Sequence, residues 1–513
     1  MSIFHMILTF AIAMIITSIN GYNILGVFPH AAQSHFNIFG SLMEQLAKRG
    51  HNVTVISYFP RKDVLPNYHD ISLVGTGQIL INTIPIQTNT KLNFENYFEH
   101  LRISQNGLSS CEVVGSTTIQ NFLKLNQSYD VIIQEHYNTD CFLVLNFILK
   151  APSIGITTCT IHPWLLDRMG IPVNPAYFPI NLFRHSDQMS FLERIQNTIG
   201  YFLHGHLLAK LWMTDPSNNL VRKYFGSNFP LLEDIAKNTS LYLVNTHFAI
   251  NKARPLPPNV IEISGIHLTQ PKKLPKDIQE FIDNSTQDVI YFSFGSMMKG
   301  SSIPEKDRLM FIDAFKELPY KVLWKFENES LISKPDNVMI RQWMPQFDIL
   351  SHSKVKAFIS HGGLLGFVEA IQSGVPIVAI PFYNEQYINA KALELSDVAR
   401  IVNGDSFTKD DIINAIKSVL DPKVQEKMKR LSKLYKDRPM SPMDTAIWWV
   451  EYVARNGGHM DTLRSSVVGM PVYKWMLLDV ATFVLSVIFI SLFLVYNFSK
   501  KFRTKNRCNI KRI

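Results

Sequence analysis

The sequence predicts an α/β protein of two lobes, each built on a parallel sheet, followed by one helix that crosses a membrane. Short apolar runs that suit strands alternate with helical patterns in both halves of the chain. A turn-rich stretch separates the halves, and a charge-free apolar run stands near the C terminus. The 513 residues exceed one ordinary core, and 46% hydrophobic with 18% charged residues is the composition of a folded protein.

Residues 1–21 are predicted to be a cleaved secretory signal peptide. The segment 6–16 is apolar and uncharged, and the small or polar residues Thr17, Ser18 and Gly21 follow it. A secretory route also fits the N-glycosylation tripeptides at Asn52, Asn126, Asn238, Asn284 and Asn328. Asn52 opens a predicted strand and is therefore the least suited of the five to modification.

The N-terminal lobe, residues 22–265, opens with a strand, a helix and a second strand. Residues 23–28 and 53–57 are predicted as strands, Ser34 can cap the helix between them, and Gly50 can end it. One face of that helix is apolar and carries Phe36, Phe39, Leu42, Met43 and Leu46. Further strands at 130–134 and 153–157, with a helix between them, continue the parallel pattern.

A second alternating series fills residues 266–473, and the lobe boundary is placed near 265–275. Its predicted strands are the runs VIYFSFGS, KVLWKF, VMIRQW, VKAFIS and PIVAIPF. Two Rossmann-like lobes facing each other across a cleft are the simplest arrangement of such a chain. Ligands of these sheets bind beyond the carboxyl ends of the strands, so the cleft is the expected site.

Residues 474–498 are predicted to form a transmembrane helix. Its charge-free core, 480–498, would span about 28 Å at the rise of an α-helix, which matches a bilayer core. Tyr473, Trp475 and Tyr496 stand at its borders, as interfacial aromatic residues do. A buried core helix is the alternative explanation of this run.

The tail, residues 499–513, carries seven Lys and Arg and no acid, which predicts a cytosolic location. Without these seven cations the net charge falls from +9 to +2, so the charge gives no support to nucleic-acid binding. Cys111, Cys141 and Cys159 precede the predicted span and Cys508 follows it, so at most one lumenal disulfide can form within the chain. No CxxC zinc site is present.

The stretch SHGGLLGFVEA, from Ser360 onward, has the layout of a nucleotide site. The histidine and two glycines form a turn between a strand and a helix that begins near Leu364 and ends before Gly374. The free N–H groups of that helix start favour a phosphate, and His361 can add a hydrogen bond. Glu369, one to two turns later, suits a ribose hydroxyl pair. A tight turn with a satisfied histidine is the alternative.

Three runs between Trp343 and Gln386, WMPQFDIL, FISHGGLLGFVEAIQSGVPIVAIP and FYNEQ, resemble the signature of the UDP-glycosyltransferase family. The forms NTDC and HGGLL are similar to those of its insect branch. The resemblance covers nearly the whole chain and implies a GT-B fold. In that fold an N-terminal lobe binds the acceptor and a C-terminal lobe binds the UDP-sugar. Catalysis is expected without a metal or other cofactor, and no DxD motif is present.

The resemblance also implies roles for individual residues. UDP would be bound by Ser296, Trp343, Gln346, His361, Gly363, Gly366 and Glu369. Trp343 would stack on uracil, although such a tryptophan taken alone is more often a core residue. The donor sugar would be held by Glu385 and Gln386. The chain departs from the family at Leu365, where vertebrate relatives have asparagine, and at Gly366, where insect relatives commonly have serine.

His35, at the start of the first helix, is the expected catalytic base. A neutral histidine suits proton removal near pH 7, and the positive end of a helix disfavours the imidazolium. The family pattern also places its catalytic histidine there. A carboxylate should orient this ring. A strict count from the preceding strand points to Glu135, whereas the insect form of the motif points to Asp140, and Asp140 is preferred.

The function that these residues imply is transfer of a hexose, with glucose from UDP-glucose as the expected donor, to a hydroxyl of a small lipophilic acceptor. One direct displacement would invert the anomeric centre and give a β-glycoside. UDP-glucuronate or a membrane-lipid acceptor is the first alternative, and a non-catalytic sugar-nucleotide-binding protein is the second. The family pattern places the enzyme in the endoplasmic reticulum membrane as a single-pass type I protein with lumenal lobes. The acceptor's identity and homo-oligomerisation are left open.

Overall fold

Both predicted parallel sheets are present in a computed structural model of the chain, which describes residues 21–86, 95–328, 334–404 and 406–510. The expected signal peptide lies almost wholly outside the described residues. The α/β prediction is confirmed. Every strand pairing that the structure defines is parallel, so successive strands of a sheet are joined by crossover connections.

The first sheet has seven strands in the order β3-β2-β1-β5-β6-β7-β8. Its strands are β1 Asn23–Phe28, β2 Asn52–Ser57, β3 Tyr68–Ser72, β5 Val131–Glu135, β6 Ser153–Thr157, β7 Leu241–Val244 and β8 Val260–Glu262. The strand order reverses between β1 and β5, which pair with each other. In doubly wound sheets the crevice at such a reversal is the usual ligand site.

The second sheet has six strands in the order β12-β11-β9-β13-β14-β15. They are β9 Val289–Ser293, β11 Lys321–Lys325, β12 Val338–Arg341, β13 Val355–Ser360, β14 Ile377–Ala379 and β15 Ala399–Ile401. All five apolar runs predicted as strands in this half form strands. The order reverses between β9 and β13, so this lobe also has a crevice at the carboxyl edge of its sheet.

Helices cover the faces of both sheets. In the first lobe they are α1 Gln33–Lys48, α2 Glu95–Glu112, α3 Thr117–Lys124, α4 Leu143–Leu149, α5 Pro163–Met169, α6 Phe191–Phe202, α7 Asp215–Phe225, α8 Leu232–Ala236 and α9 Phe248–Asn251. Short 3₁₀ and π segments complete this part at Val113–Gly115, Leu203–Leu207 and Lys210–Thr214. The rest of the chain contains α10 Lys276–Asp283, a 3₁₀ turn Gly300–Ser302, α11 Glu305–Glu317, α12 Gln346–Leu350, α13 Leu364–Ser373, α14 Asn384–Glu394, α15 Lys409–Val419, α16 Pro422–Lys436, α17 Pro442–Arg455, α18 Val472–Trp475 and α19 Leu478–Ile510.

The opening strand–helix–strand unit differs from the prediction only at the helix start. α1 begins at Gln33, and Ala32 occupies the N-cap without a side-chain hydrogen bond, so Ser34 is the second helical residue rather than the cap. The apolar face is buried as expected, with Phe36, Phe39, Leu42, Met43 and Leu46 all at most 9% exposed. Gly50, at φ +93°, provides the left-handed turn that leads into β2.

Besides the chain itself, a short strand ladder and a returning helix join the two lobes. A short parallel ladder pairs β4, Ile84–Pro85 of the first lobe, with β10, Met298–Lys299 of the second. Near the end of the folded part, α17 returns to the first lobe, where Ile447 and Val450 share a core with residues of β1 and α1. His51 also lies 3.2 Å from Glu451 of that helix. Both ends of the lobed part of the chain therefore contribute to the N-terminal core.

The C-terminal segment 465–513 forms a separate unit. Within the described residues it contains the single helix that is long and apolar enough to cross a membrane, over 478–503. The predicted charge-free run lies inside it. Of the three cysteines that precede this helix, Cys111 and Cys141 form a disulfide and Cys159 is free and buried.

Candidate active site

A cavity of about 350 Å³ lies between the two lobes, where both reversal crevices open. Strands of the second sheet, the linking ladder, and helices and loops of the first lobe line it. Ten of the eleven residues singled out from the sequence are among them: His35, Ser296, Trp343, Gln346, His361, Gly363, Gly366, Glu369, Glu385 and Gln386. The exception is Asp140.

His35 lies in the first turn of α1, just beyond the carboxyl end of β1. Its Nδ1 is 2.5 Å from Oε1 of Glu135 and 3.0 Å from Oγ1 of Thr158. When Glu135 is ionised, Nδ1 donates to its carboxylate and Nε2 keeps the lone pair. Burial is the main cause that raises the pKa of Glu135, to about 7. Burial lowers the pKa of His35, so the ring is neutral and can accept a proton.

Two aromatic neighbours hold the His35 ring in place. The ring of His30 lies 4.5 Å from it and that of Tyr137 lies 5.0 Å from it, measured between centroids. Burial is also the main cause that lowers the pKa of His30, to about 3, and proximity to His35 lowers it further. His35 therefore stands beside a second imidazole that is also neutral.

Asp140 does not contact His35, and the preference for it as the partner of this histidine is corrected. Its two carboxylate oxygens accept hydrogen bonds of 2.7 and 2.9 Å from the guanidinium of Arg168. Burial alone would raise the pKa of Asp140, but the charge and hydrogen bonds of Arg168 outweigh it and lower the pKa. Glu135, the last residue of β5, reaches His35 because β5 lies beside β1 and both strands end at the same edge.

The turn after β13 is shaped around the His361 ring. A side chain at Gly295 would come within 2.6 Å of that ring, and one at Gly363 within 2.5 Å. Gly295 and Gly362 also have positive φ angles, +79° and +94°. Burial is the main cause that lowers the pKa of His361, to about 4, and Lys325 lowers it further. Its buried Nδ1 has no hydrogen-bond partner in the structure, so it is ready for a ligand atom.

The residues expected to hold the nucleoside lie together on the second lobe. Trp343 is 61% exposed, so the core alternative for this residue is wrong and its ring is open to a ligand. Gln346 Nε2 donates a 2.6 Å hydrogen bond to Glu369 Oε2, so the two residues expected at the ribose contact each other. A side chain at Gly366 would approach Gln346 Nε2 to 3.2 Å, so the glycine gives this amide its room.

Glu385 and Gln386 begin α14 and face the cavity differently. Gln386 Oε1 accepts hydrogen bonds from the backbone N–H groups of Phe382 and Tyr383, at 2.9 and 3.2 Å. Only its amide NH₂ therefore remains for a sugar. Burial is the main cause that raises the pKa of Glu385, to about 7, although hydrogen bonding by the Thr160 backbone lowers it. Near neutral pH this carboxyl group can therefore be ionised and accept hydrogen bonds, or be protonated and donate one.

Lys325 is a cavity residue that the sequence did not single out. It ends β11 and is 6% exposed. Its Nζ donates to Asn82 Oδ1 at 2.8 Å and to the Gly295 carbonyl at 2.9 Å, so it joins the first lobe to the loop before Ser296. The available signal was a lysine that directly follows the apolar run 322–324. Among the described residues, no group of His, Cys, Asp and Glu is arranged to hold a metal ion.

The family described as "UDP-glucoronosyl and UDP-glucosyl transferase" matches residues 24–511, nearly the whole chain. The chain belongs to this family. The enzyme is thus a UDP-glycosyltransferase, and its two facing parallel sheets are the GT-B fold.

Curated relatives agree over the same length. The enzyme is 38% identical to UDP-glucosyltransferase 2 of Dactylopius coccus, over 94% of this chain and 93% of that protein. It is 30% identical to human UDP-glucuronosyltransferase 2B15, over 91% and 90%. Among solved structures, an anthocyanidin 3-O-glucosyltransferase in complex with UDP is similar with a TM-score of 0.55 and 17% identity, over 85% of this chain and all of that one. This structural similarity supports the assignment of the GT-B fold.

Proposed function

We propose that the enzyme transfers glucose from UDP-glucose to a hydroxyl of a small lipophilic acceptor, by one displacement that inverts the anomeric centre. The observation that carries this proposal is the contact between His35, which lines the cavity between the lobes, and the buried carboxyl group of Glu135. A neutral imidazole oriented by a carboxylate is the group that alcohol or phenol activation requires. The carboxylate role, first assigned to Asp140, passes to Glu135.

In the proposed step the acceptor hydroxyl lies against His35 Nε2. As its oxygen attacks the anomeric carbon, the proton moves to Nε2 and the imidazolium that forms is stabilised by Glu135. The bond between the anomeric carbon and the diphosphate oxygen breaks, and its electron pair leaves with UDP. One displacement converts an α-linked donor into a β-glycoside.

The second lobe supplies the donor contacts in this proposal. The exposed face of Trp343 suits uracil, and Gln346 with Glu369 suits the ribose hydroxyls. His361, the backbone N–H groups at the start of α13, and Ser296 suit the diphosphate. Lys325 adds a buried positive charge on the same side, so the leaving UDP is neutralised by the protein's own groups and no metal is invoked.

Glucose is proposed as the donor sugar because the relative at 38% identity is named a glucosyltransferase. UDP-glucuronate is the second candidate, favoured by the human relative at 30% identity. Location in the endoplasmic reticulum membrane, as a single-pass type I protein with lumenal lobes, is proposed from the C-terminal helix and the basic residues that follow it.

The deciding experiment measures UDP release by membranes that contain the full chain, with UDP-glucose or UDP-glucuronate, EDTA and a mixture of small phenols. We expect release that depends on phenol and on UDP-glucose and persists in EDTA. His35→Ala is expected to abolish release while UDP affinity, measured by calorimetry, stays within a few fold, because the base does not hold UDP. Turnover that survives in this variant would remove His35 from the mechanism. Release only with UDP-glucuronate would show that the donor is UDP-glucuronate and not UDP-glucose.

A further inference from the structure

His267 is a buried histidine beside the carboxylate that is expected to hold the ribose. Its side chain is 6% exposed, and its Nε2 lies 3.6 Å from Oε1 of Glu369. The other carboxylate oxygen, Oε2, accepts the 2.6 Å hydrogen bond from Gln346. Each oxygen of this carboxylate therefore has a side-chain nitrogen near it.

Both ring nitrogens of His267 are buried, and neither has a hydrogen-bond partner among the described residues. Buried polar atoms of folded proteins nearly always have such a partner, so this unpaired ring calls for a physical explanation. A hydrogen bond of ordinary length, about 2.9 Å, requires Nε2 and Oε1 of Glu369 to approach by about 0.7 Å. A small movement of one side chain is enough to form it.

The turn that carries His267 is anchored in both lobes. The N–H of Leu268 donates to the Gly265 carbonyl at 2.9 Å. Ile266 and His267 therefore occupy the two central positions of this turn. Ile266 belongs to the core around β1 and α1, and Leu268 packs against the core around α13, the helix that carries Glu369. The packing of its two neighbours thus holds His267 in place.

Tyr435 of α16 limits the freedom of the same turn. Its hydroxyl lies 3.2 Å from Oγ of Ser264, and a side chain at Gly265 would come within 2.5 Å of it. Gly265 has a φ of +91°, a conformation that favours glycine. The backbone before His267 therefore has a defined course, and the approach is left to the side chain of Glu369.

We propose that His267 is a positioning residue for the ribose of UDP. The proposal rests on the proposed function, in which Gln346 and Glu369 hold the ribose hydroxyls. With the proton of the neutral ring on Nε2, His267 donates to Oε1 while Gln346 donates to Oε2, and the free lone pairs of both oxygens accept from the ribose. The described residues that line the cavity include Glu369 but not His267, so this ring acts through the carboxylate and does not touch the nucleotide.

A carboxylate held at both oxygens should make the donor site selective for ribose over deoxyribose. Because its orientation is fixed, it loses little freedom when two hydroxyls bind, and a nucleotide without the 2′-hydroxyl leaves part of it unpaired. A carboxylate held only by Gln346 is free to turn. Removing the donor at His267 should therefore weaken the binding of UDP more than the binding of 2′-deoxy-UDP.

The test measures the Kd of UDP and of 2′-deoxy-UDP by calorimetry on the full chain in detergent. Three substitutions at this position differ in where they place a donor. The amide NH₂ stands near the position of Nε2 in His267→Gln and near that of Nδ1 in His267→Asn, and His267→Leu has no donor. The Gln and Asn variants are matched in chemistry, so a general loss of folding or of linker packing affects both.

We expect His267→Leu and His267→Asn to weaken UDP binding by about tenfold, the size of one hydrogen bond to a charged group. Binding of 2′-deoxy-UDP should weaken by about twofold at most, so the preference for UDP falls about fivefold. His267→Gln should keep this preference within about twofold of that of the unsubstituted enzyme, because its amide restores the donor to Oε1 of Glu369.

A preference for UDP that is unchanged in His267→Leu overturns the proposal. Gln and Asn variants that behave alike also overturn it, and limit His267 to the packing of the linker. Glu369→Ala separates this failure from a failure of the donor-site assignment, because it should abolish the preference if the ribose lies against that carboxylate. A preference that survives in Glu369→Ala overturns both assignments.

Discussion

At the scale of single residues, the site depends on where two strands end. β1 and β5 are neighbours in the sheet, so His35, shortly after one, meets Glu135, at the end of the other, although 100 residues separate them. Asp140 lies five residues farther along and pairs with Arg168 instead. Two acids close in sequence thus have different partners: Glu135 contacts the ring of the proposed base, and Asp140 neutralises a buried cation.

Because the two acids have different partners, two isosteric changes should have different effects: one should lower kcat and the other should lower stability. Glu135→Gln should lower kcat by about 100-fold or more with little loss of stability, because it removes the charge that stabilises the imidazolium. Asp140→Asn should lower the free energy of unfolding by about 3 to 5 kcal/mol, because it leaves Arg168 buried without its counter-charge. Kinetics and urea unfolding on both variants check this. A larger kcat loss in Asp140→Asn at a temperature where it stays folded would reverse the assignment.

Glu385 predicts a pH effect on stability. Burial raises its pKa from an ordinary 4.5 to about 7 in the ligand-free fold. The unfolded chain ionises this acid more easily, so its stabilising contribution is complete below about pH 4.5 and is lost as pH rises to about 7. Glu385→Gln should therefore gain up to about 3 kcal/mol over the original enzyme at pH 8, and little at pH 4.5. Urea unfolding without UDP measures this; a pH-independent difference would contradict it.

At the scale of elements, α2 forms one wall of the cavity and is fixed at its C-terminal end. Cys111, near its last residue, is bonded to Cys141, which follows Asp140 before α4. The loop so closed spans 30 residues. The bond therefore ties this wall of the cavity to the segment that follows β5, the strand whose last residue, Glu135, is the proposed partner of His35.

Replacing both Cys111 and Cys141 by alanine should lower the free energy of unfolding by about 3 to 4 kcal/mol, from the entropy of the opened loop. Cys159→Ala is the matched control, since this buried thiol forms no disulfide. Thermal unfolding of the three proteins in the same detergent gives the comparison. An equal loss in the control would attribute the effect to core packing rather than to the crosslink.

At the scale of the whole molecule, the lobes are joined by contacts beside the loop that contains Ser296 as well as by the chain itself. Lys325 of the second lobe bonds Asn82 of the first, beside the ladder of β4 with β10. The returning helix α17 adds a third connection by completing the core of the first lobe. These connections therefore fix the position of one lobe relative to the other, and with it the shape of the cavity between them.

Changes at this junction should separate donor binding from lobe positioning. Lys325→Met is expected to weaken UDP binding by about tenfold or more, because it removes the buried charge that we propose for neutralising the diphosphate. Asn82→Ala should leave the UDP Kd within about threefold and lower kcat instead, because it loosens only the tie between the lobes. Calorimetry and initial rates measure both. Equal effects on Kd would show that Asn82 acts through the donor site.

The sequence by itself determined the alternation of strands and helices, the two lobes, the glycine turn around His361 and the family, because these depend on local periodicity and contiguous motifs. The partner of His35, the disulfide pairing, the place of Lys325 and the return of α17 were decided by tertiary structure. Each of these contacts joins segments at least 30 residues apart. Sheet order determines such contacts, and it follows from packing the whole chain, which no local pattern encodes.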